Sequence, residues 1–108
     1  MDLNEFLLAR IAEDEAVAQD IYVDPGKWRA DGLIGLDPSR MLAECEAKRR
    51  IVAEHPHRQW DGWTYCETCN MTEGGTIYDV EKAGNCPTLR LLALPYADHP
   101  AWREGWRP

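Results

Sequence analysis

Apolar residues recur at helical spacing from the start of the chain: Leu3, Phe6, Leu7, Ile11, Val17, Ala18 and Ile21. The pattern predicts an amphipathic helix from Leu3 to Tyr22, with Glu13, Asp14, Glu15 and Asp20 mostly facing away. Asp2 can cap its first turn, and Glu5 stands in the reciprocal position of a capping box. Asp24-Pro25-Gly26 stops it. Residues 25–36, with three glycines and Trp28, read as a surface connector. A second helix starts at Asp37, a good N-cap, with Pro38 at the first helical position, where a missing N–H is no loss. It should run to His55, because Pro56 disfavours helical geometry in the residue before it. Met41, Leu42, Cys45, Ile51, Val52 and His55 share its broad apolar face. Glu44 and Lys48, like Glu46 and Arg50, stand four apart in the favourable order.

The period then changes. Trp60 to Cys69 and Thr76 to Val80 hold short β-prone runs around Gly74 and Gly75. These predict a small hairpin with a knuckle at Cys66-Glu67-Thr68-Cys69. A third helix opens at Cys86-Pro87 and runs through Leu94, where Pro95 kinks or ends it. Leu89, Leu92, Ala93 and Tyr96 form one apolar face of this helix, while Leu91 and Leu94 point to the opposite side. A helix apolar nearly all round is buried on both faces. Two arrangements satisfy it. Either the tail tryptophans Trp102 and Trp106 fold back over Leu91 and Leu94, or these four residues form a face that receives another protein or a second copy. The fold class expected is mainly α: one zinc-stabilised helical domain over residues 1–108, with a zinc-ribbon-like β-hairpin between the second and third helices.

Charge narrows the functions. Nineteen acids against twelve bases give a net charge of −7, with residues 1–24 at −6, 25–60 at +2 and 61–108 at −3. That balance argues against a general nucleic-acid binder, whose affinity comes from clustered cations. The one basic cluster, Lys48-Arg49-Arg50 with Arg58 near Trp60 and Trp63, spreads around its helix, since consecutive residues diverge by about 100°. A nucleic-acid-binding regulator using residues 48–58 is the second reading. No apolar run approaches the ~18 residues of a membrane span, and the start lacks a signal peptide's cationic flank, so a cytoplasmic location is expected.

In a reducing compartment, four cysteines point to metal ligands or core thiols before disulfides. Cys66-x2-Cys69 can bite one tetrahedral ion, the way structural zinc sites begin. Cys86, at a helix N-terminus, supplies a third thiolate. His55, ending the second helix on its core side, is the preferred fourth ligand, with Cys45 and His57 as rivals. A redox role for the CxxC lacks the strand–CxxC–helix context. An iron–sulfur cluster with Cys45 as fourth ligand is loosely similar to the WhiB-like proteins, but their Gly-Val/Ile-Trp-Gly-Gly turn is missing here. No nucleophile–base pair, phosphate-binding loop or carboxylate pair stands out, and the single serine, Ser39, belongs to a helix start. A metalloenzyme of unknown reaction is the third reading, and it requires an open coordination position.

The run Cys86-Pro-Thr-Leu-Arg-Leu-Leu-Ala-Leu-Pro-Tyr-Ala-Asp-His-Pro100 is distinctive. With Glu46-Ala-Lys-Arg-Arg-Ile-Val52, His55, the CxxC and the opening Asp2-Leu-x-Glu-Phe-Leu7, the chain resembles an uncharacterised family of small proteins from actinobacteria and their phages, a domain of unknown function. The resemblance implies a cytoplasmic protein of such a host or phage and supplies no activity. It favours His55, Cys66, Cys69 and Cys86 as the recurring positions and leaves Cys45 as a local choice. The leading expectation is a small non-catalytic zinc protein, an adaptor or regulator that binds another protein or itself.

Overall fold

A computed structural model describes residues 2–24, 26, 37–60, 63–69 and 86–108. It is mainly helical. Helix α1 spans Leu3–Val23, α2 spans Pro38–Ala53 and α3 spans Pro87–Ala93, followed by 3-10 turns at Leu94–Tyr96 and Glu104–Trp106. Between α2 and α3 lie two short strands, β1 (His57–Trp60) and β2 (Trp63–Cys66). No helix among the described residues is long and apolar enough to cross a membrane.

The helix starts follow their caps. Asp2 Oδ1 accepts from Glu5 N–H at 2.8 Å, and Asp37 Oδ1 accepts from Ser39 N–H at 3.0 Å and from Arg40 N–H at 3.3 Å. Each bond satisfies a donor that the first turn would otherwise leave unpaired. Helix α2 ends two residues before the position the proline predicts, with Glu54 as its C-cap. On its exposed side Arg50 pairs with Glu46 at 3.0 Å, while Glu44 pairs with Arg40 at 3.1 Å in place of Lys48.

The β element differs from expectation. The predicted partner run, Thr76 to Val80, lies outside the described residues. The observed partner is His57–Trp60, a segment that carries no strand signal in the sequence, and it pairs antiparallel with Trp63–Cys66. His57 stands opposite Cys66 and Trp60 opposite Trp63. The zinc-ribbon character expected for the hairpin therefore gains no support from the strand that was to complete it.

Helix α1 packs along α2 and α3. Leu3, Phe6, Leu7 and Ile11 meet Cys45 and Val52 of α2, Leu89 and Ala93 of α3, and Trp106 in one core. Phe6 is its centre: Trp106 packs against it, tilted by 46°, at 4.9 Å between ring centroids, and Trp102, Tyr96 and His99 lie nearly perpendicular to it at 6.1, 6.3 and 5.7 Å. The tail tryptophans thus fold over Phe6 and leave Leu91 and Leu94 uncovered. Trp106 is a core residue, 4% exposed, and Trp102 is half-buried against the core. Of the four residues assigned to a partner face, only Leu91 (60% exposed) and Leu94 (38%) lie open.

Two acids expected on the outer side of α1 have inward partners. Tyr96 Oη donates to Asp14 Oδ2 at 2.6 Å, and Glu15 pairs with Arg49 of α2. Arg10, almost fully buried, bridges Glu13 at 2.9 Å and the His99 ring, with its guanidinium 5.2 Å from the Phe6 centroid. Val17, read as part of the apolar stripe, is exposed.

Candidate metal centre

Four side chains from three parts of the fold converge where α2, the hairpin and α3 meet. His55 follows the C-cap of α2, Cys66 ends β2, Cys69 closes the turn after it, and Cys86 is the N-cap of α3. Their ligand atoms all lie within 4.8 Å of one another, and the group could hold a metal ion.

Each position is set by backbone bonds. His55 N–H donates to the Val52 carbonyl at 3.1 Å, and the His55 carbonyl accepts from Asn4 Nδ2 at 3.3 Å, so the start of α1 helps fix this residue. Glu67 N–H donates to the Pro56 carbonyl at 3.0 Å, and the Thr68 hydroxyl donates to the Glu54 carbonyl. These two bonds tie the CxxC turn to the end of α2. Pro87 begins α3 directly after Cys86, and Arg90 N–H donates to the Cys86 carbonyl at 3.0 Å.

His55 Nδ1 lies 3.2 Å from Cys69 Sγ, 3.5 Å from Cys66 Sγ and 3.7 Å from Cys86 Sγ. One ring nitrogen carries at most one hydrogen. Three sulfurs at near-equal distance from it therefore describe a ligand shell better than a set of hydrogen bonds. Cys66 and Cys86 are fully buried and Cys69 is half-buried. No disulfide joins any of the four cysteines. Burial pushes the Cys86 thiol up to about 12, and burial with the neighbouring Cys66 raises Cys69. Without a cation this pocket keeps those two sulfurs protonated; a bound cation would reverse the preference.

The rivals stand apart. Cys45 lies ten residues before His55, about 15 Å along a helix axis, and is buried in the core near Asp14 and Glu15. It is absent from the group, which removes the four-cysteine arrangement on which the iron–sulfur reading rested. His57 opens β1 with its Nε2 buried and without a partner among the described residues, and burial lowers its pKa. It too is outside the group.

Over residues 1–108 the chain matches the "Family of unknown function (DUF6221)". The chain belongs to this family. Among curated proteins it is similar to a component of the linear gramicidin synthase of Brevibacillus parabrevis, 32% identical over 96 residues. That alignment covers 88% of the chain, which spans about 1% of the length of the synthase component. No solved structure matches it.

The basic region fares differently from the cysteines. Arg49 pairs with Glu15, Arg50 with Glu46, and Arg58 with Glu67 at 3.0 Å. Three of its four cations are already neutralised by side chains of the same molecule.

Proposed function

We propose that this member of the family is a small zinc protein whose centre is structural, and that it acts as a non-catalytic adaptor or regulator. The observation that carries the reading is the spacing of His55 Nδ1 from three sulfurs, 3.2 to 3.7 Å. A zinc ion at ~2.3 Å from sulfur and ~2.0–2.1 Å from nitrogen, with tetrahedral angles, separates the two ligand types by about 3.6 Å. Thiolate and imidazole donors suit zinc above the oxygen-loving divalent cations. Four protein ligands leave no coordination position for substrate, which is why the centre is assigned a structural role over a catalytic one. A domain of this size has a marginal core, and a metal supplies what burial does not.

The adaptor reading draws on Leu91 and Leu94, large apolar side chains exposed on α3. They are the residues proposed to meet another protein or a second copy. Sedimentation of Leu91→Asp/Leu94→Asp beside the native chain tests this: a folded variant that loses association supports it, and an unchanged monomer refutes it.

Elemental analysis tests the centre. The purified chain should carry one zinc. Cys66→Ser and His55→Ala lose it, while Cys45→Ser and His57→Ala keep it. Loss on Cys45→Ser with retention on His55→Ala would overturn the ligand set, and a chain that takes up no zinc would overturn the reading.

A further inference from the structure

The ligand atoms of the group converge, but they do not meet solvent equally. Cys66 and Cys86 are fully buried, whereas Cys69 is half-buried on a turn whose other residues, Glu67 and Thr68, are exposed. Cys45 is buried in the core outside the group. A cysteine reacts with an oxidant as its thiolate, and only where the oxidant reaches the sulfur. A bound cation meets the first condition, because the cysteines it ligates are deprotonated. Among Cys66, Cys69 and Cys86, exposure meets the second condition only at Cys69. A resolving thiol must then stand close by, and the sulfurs of Cys66 and Cys86 both lie within 4.8 Å of that of Cys69.

We propose that the centre is a redox-sensitive clasp: Cys69 is the point of attack by hydrogen peroxide, and the disulfide it then forms with Cys66 or Cys86 discharges the metal. The inference rests on the four-ligand zinc reading above. In the first step the Cys69 thiolate attacks the O–O bond of the peroxide. An S–O bond forms, hydroxide leaves, and the sulfur gives two electrons to the departing oxygen. In the second step the thiolate of Cys66 or Cys86 attacks the Cys69 sulfenic sulfur. An S–S bond replaces the S–O bond and a second hydroxide leaves. Two thiolates and one peroxide thus become one disulfide and two hydroxides. His55 and a single thiolate remain, too few for a four-coordinate structural site. The end of α2, the CxxC turn and the start of α3 then lose the ion that joins them. The reaction is stoichiometric and does not use the strand–CxxC–helix frame of a dithiol oxidoreductase.

Zinc release from the loaded full chain is followed with a chromophoric chelator as hydrogen peroxide is added. Alkylation, digestion and mass spectrometry then map the cysteines. Zinc should appear in proportion to the disulfide formed, every bridge should include Cys69, and dithiothreitol with added zinc should restore the centre. With dimedone present, the trapped sulfenic acid should be on Cys69. Cys45→Ser should release zinc at the native rate, because Cys45 takes no part. Zinc retained under excess peroxide overturns the proposal and leaves the centre standing. So does a bridge between Cys66 and Cys86, a dimedone adduct on another cysteine, or oxidation that dithiothreitol does not reverse. A native chain that binds no zinc overturns the centre itself, and the clasp with it.

Discussion

Replacing Trp106 by alanine tests whether the C-terminal segment is part of the core. Trp106 is 4% exposed and sits 4.9 Å from the Phe6 centroid and 5.7 Å from that of Trp102. An aromatic side chain in such a site removes about 150–250 Å² from water. At ~25 cal/mol per Å² this is roughly 4–6 kcal/mol, and the extended-chain reference overstates it by about 10–40%. The expected loss is therefore about 3–5 kcal/mol, the range measured for large aromatics truncated in cores. A small domain is stable by only ~5–15 kcal/mol, and each kcal/mol moves its midpoint by about 4–8 °C. Trp106→Ala should lower the melting temperature by at least about 12 °C. Leu91→Asp, at a position 60% exposed, should change stability by less than about 0.5 kcal/mol. Urea denaturation of the metal-loaded protein, followed by far-UV circular dichroism, measures both without relying on tryptophan emission. A cost below about 1 kcal/mol for Trp106→Ala, or an equal cost for the two variants, refutes the packing argument.

Tyr96→Phe should cost about 1.5–3 kcal/mol, because the half-buried Asp14 carboxylate loses its hydroxyl donor; a denaturation midpoint unchanged from the native chain would show that water replaces the bond. The metal-free and loaded proteins should respond to pH in opposite directions. Without metal, the fold raises the Cys86 thiol from 9.0 to about 12. That contribution is complete below pH 9 and is lost as pH rises through about 12. With metal, protons compete for the sulfurs, so stability falls as the pH falls. Stability measured against pH with and without chelator checks this, and parallel slopes would argue against thiolate ligation. Gel-shift titration should find no duplex binding at low salt, since Arg49, Arg50 and Arg58 are paired within the molecule; a retarded band with steep salt dependence would revive the nucleic-acid reading.

The helices and most of the His55, Cys66, Cys69, Cys86 group can be read from the chain because their signals are local. Asp2 and Asp37 cap the helices they precede, Pro38 and Pro87 sit at first helical positions, and Cys66-x2-Cys69 puts two thiols on one tight turn. His55 is harder to assign, since His57 and Cys45 carry the same chemistry. What separates them is where the end of α2 meets the hairpin, a tertiary fact. The strand at His57–Trp60 escapes a sequence reading because four residues are too few to show an alternation. The inward partners of α1 escape it for another reason. Asp14 meets Tyr96 and Arg10 meets His99 across 82 and 89 residues. Charged residues on a helix default to the solvent side unless a partner is known. A similar separation hides the packing of Trp106 on Phe6, so from the sequence the tail could either fold back over Leu91 and Leu94 or join a partner face.

The convergence of Cys69 and Cys86 has a consequence for how this family can change length. Sixteen residues separate these two cysteines, yet their sulfurs are held within 4.8 Å. For a flexible loop, the entropic cost of holding two ends together grows only logarithmically with length, and doubling the length adds about 0.6 kcal/mol. On closure entropy alone, lengthening the interval between the two cysteines is therefore expected to cost little. The eleven-residue step from His55 to Cys66 has no such latitude. It carries β1 and β2, and one residue added within either strand would shift the register of His57 against Cys66 and move Cys66 relative to His55.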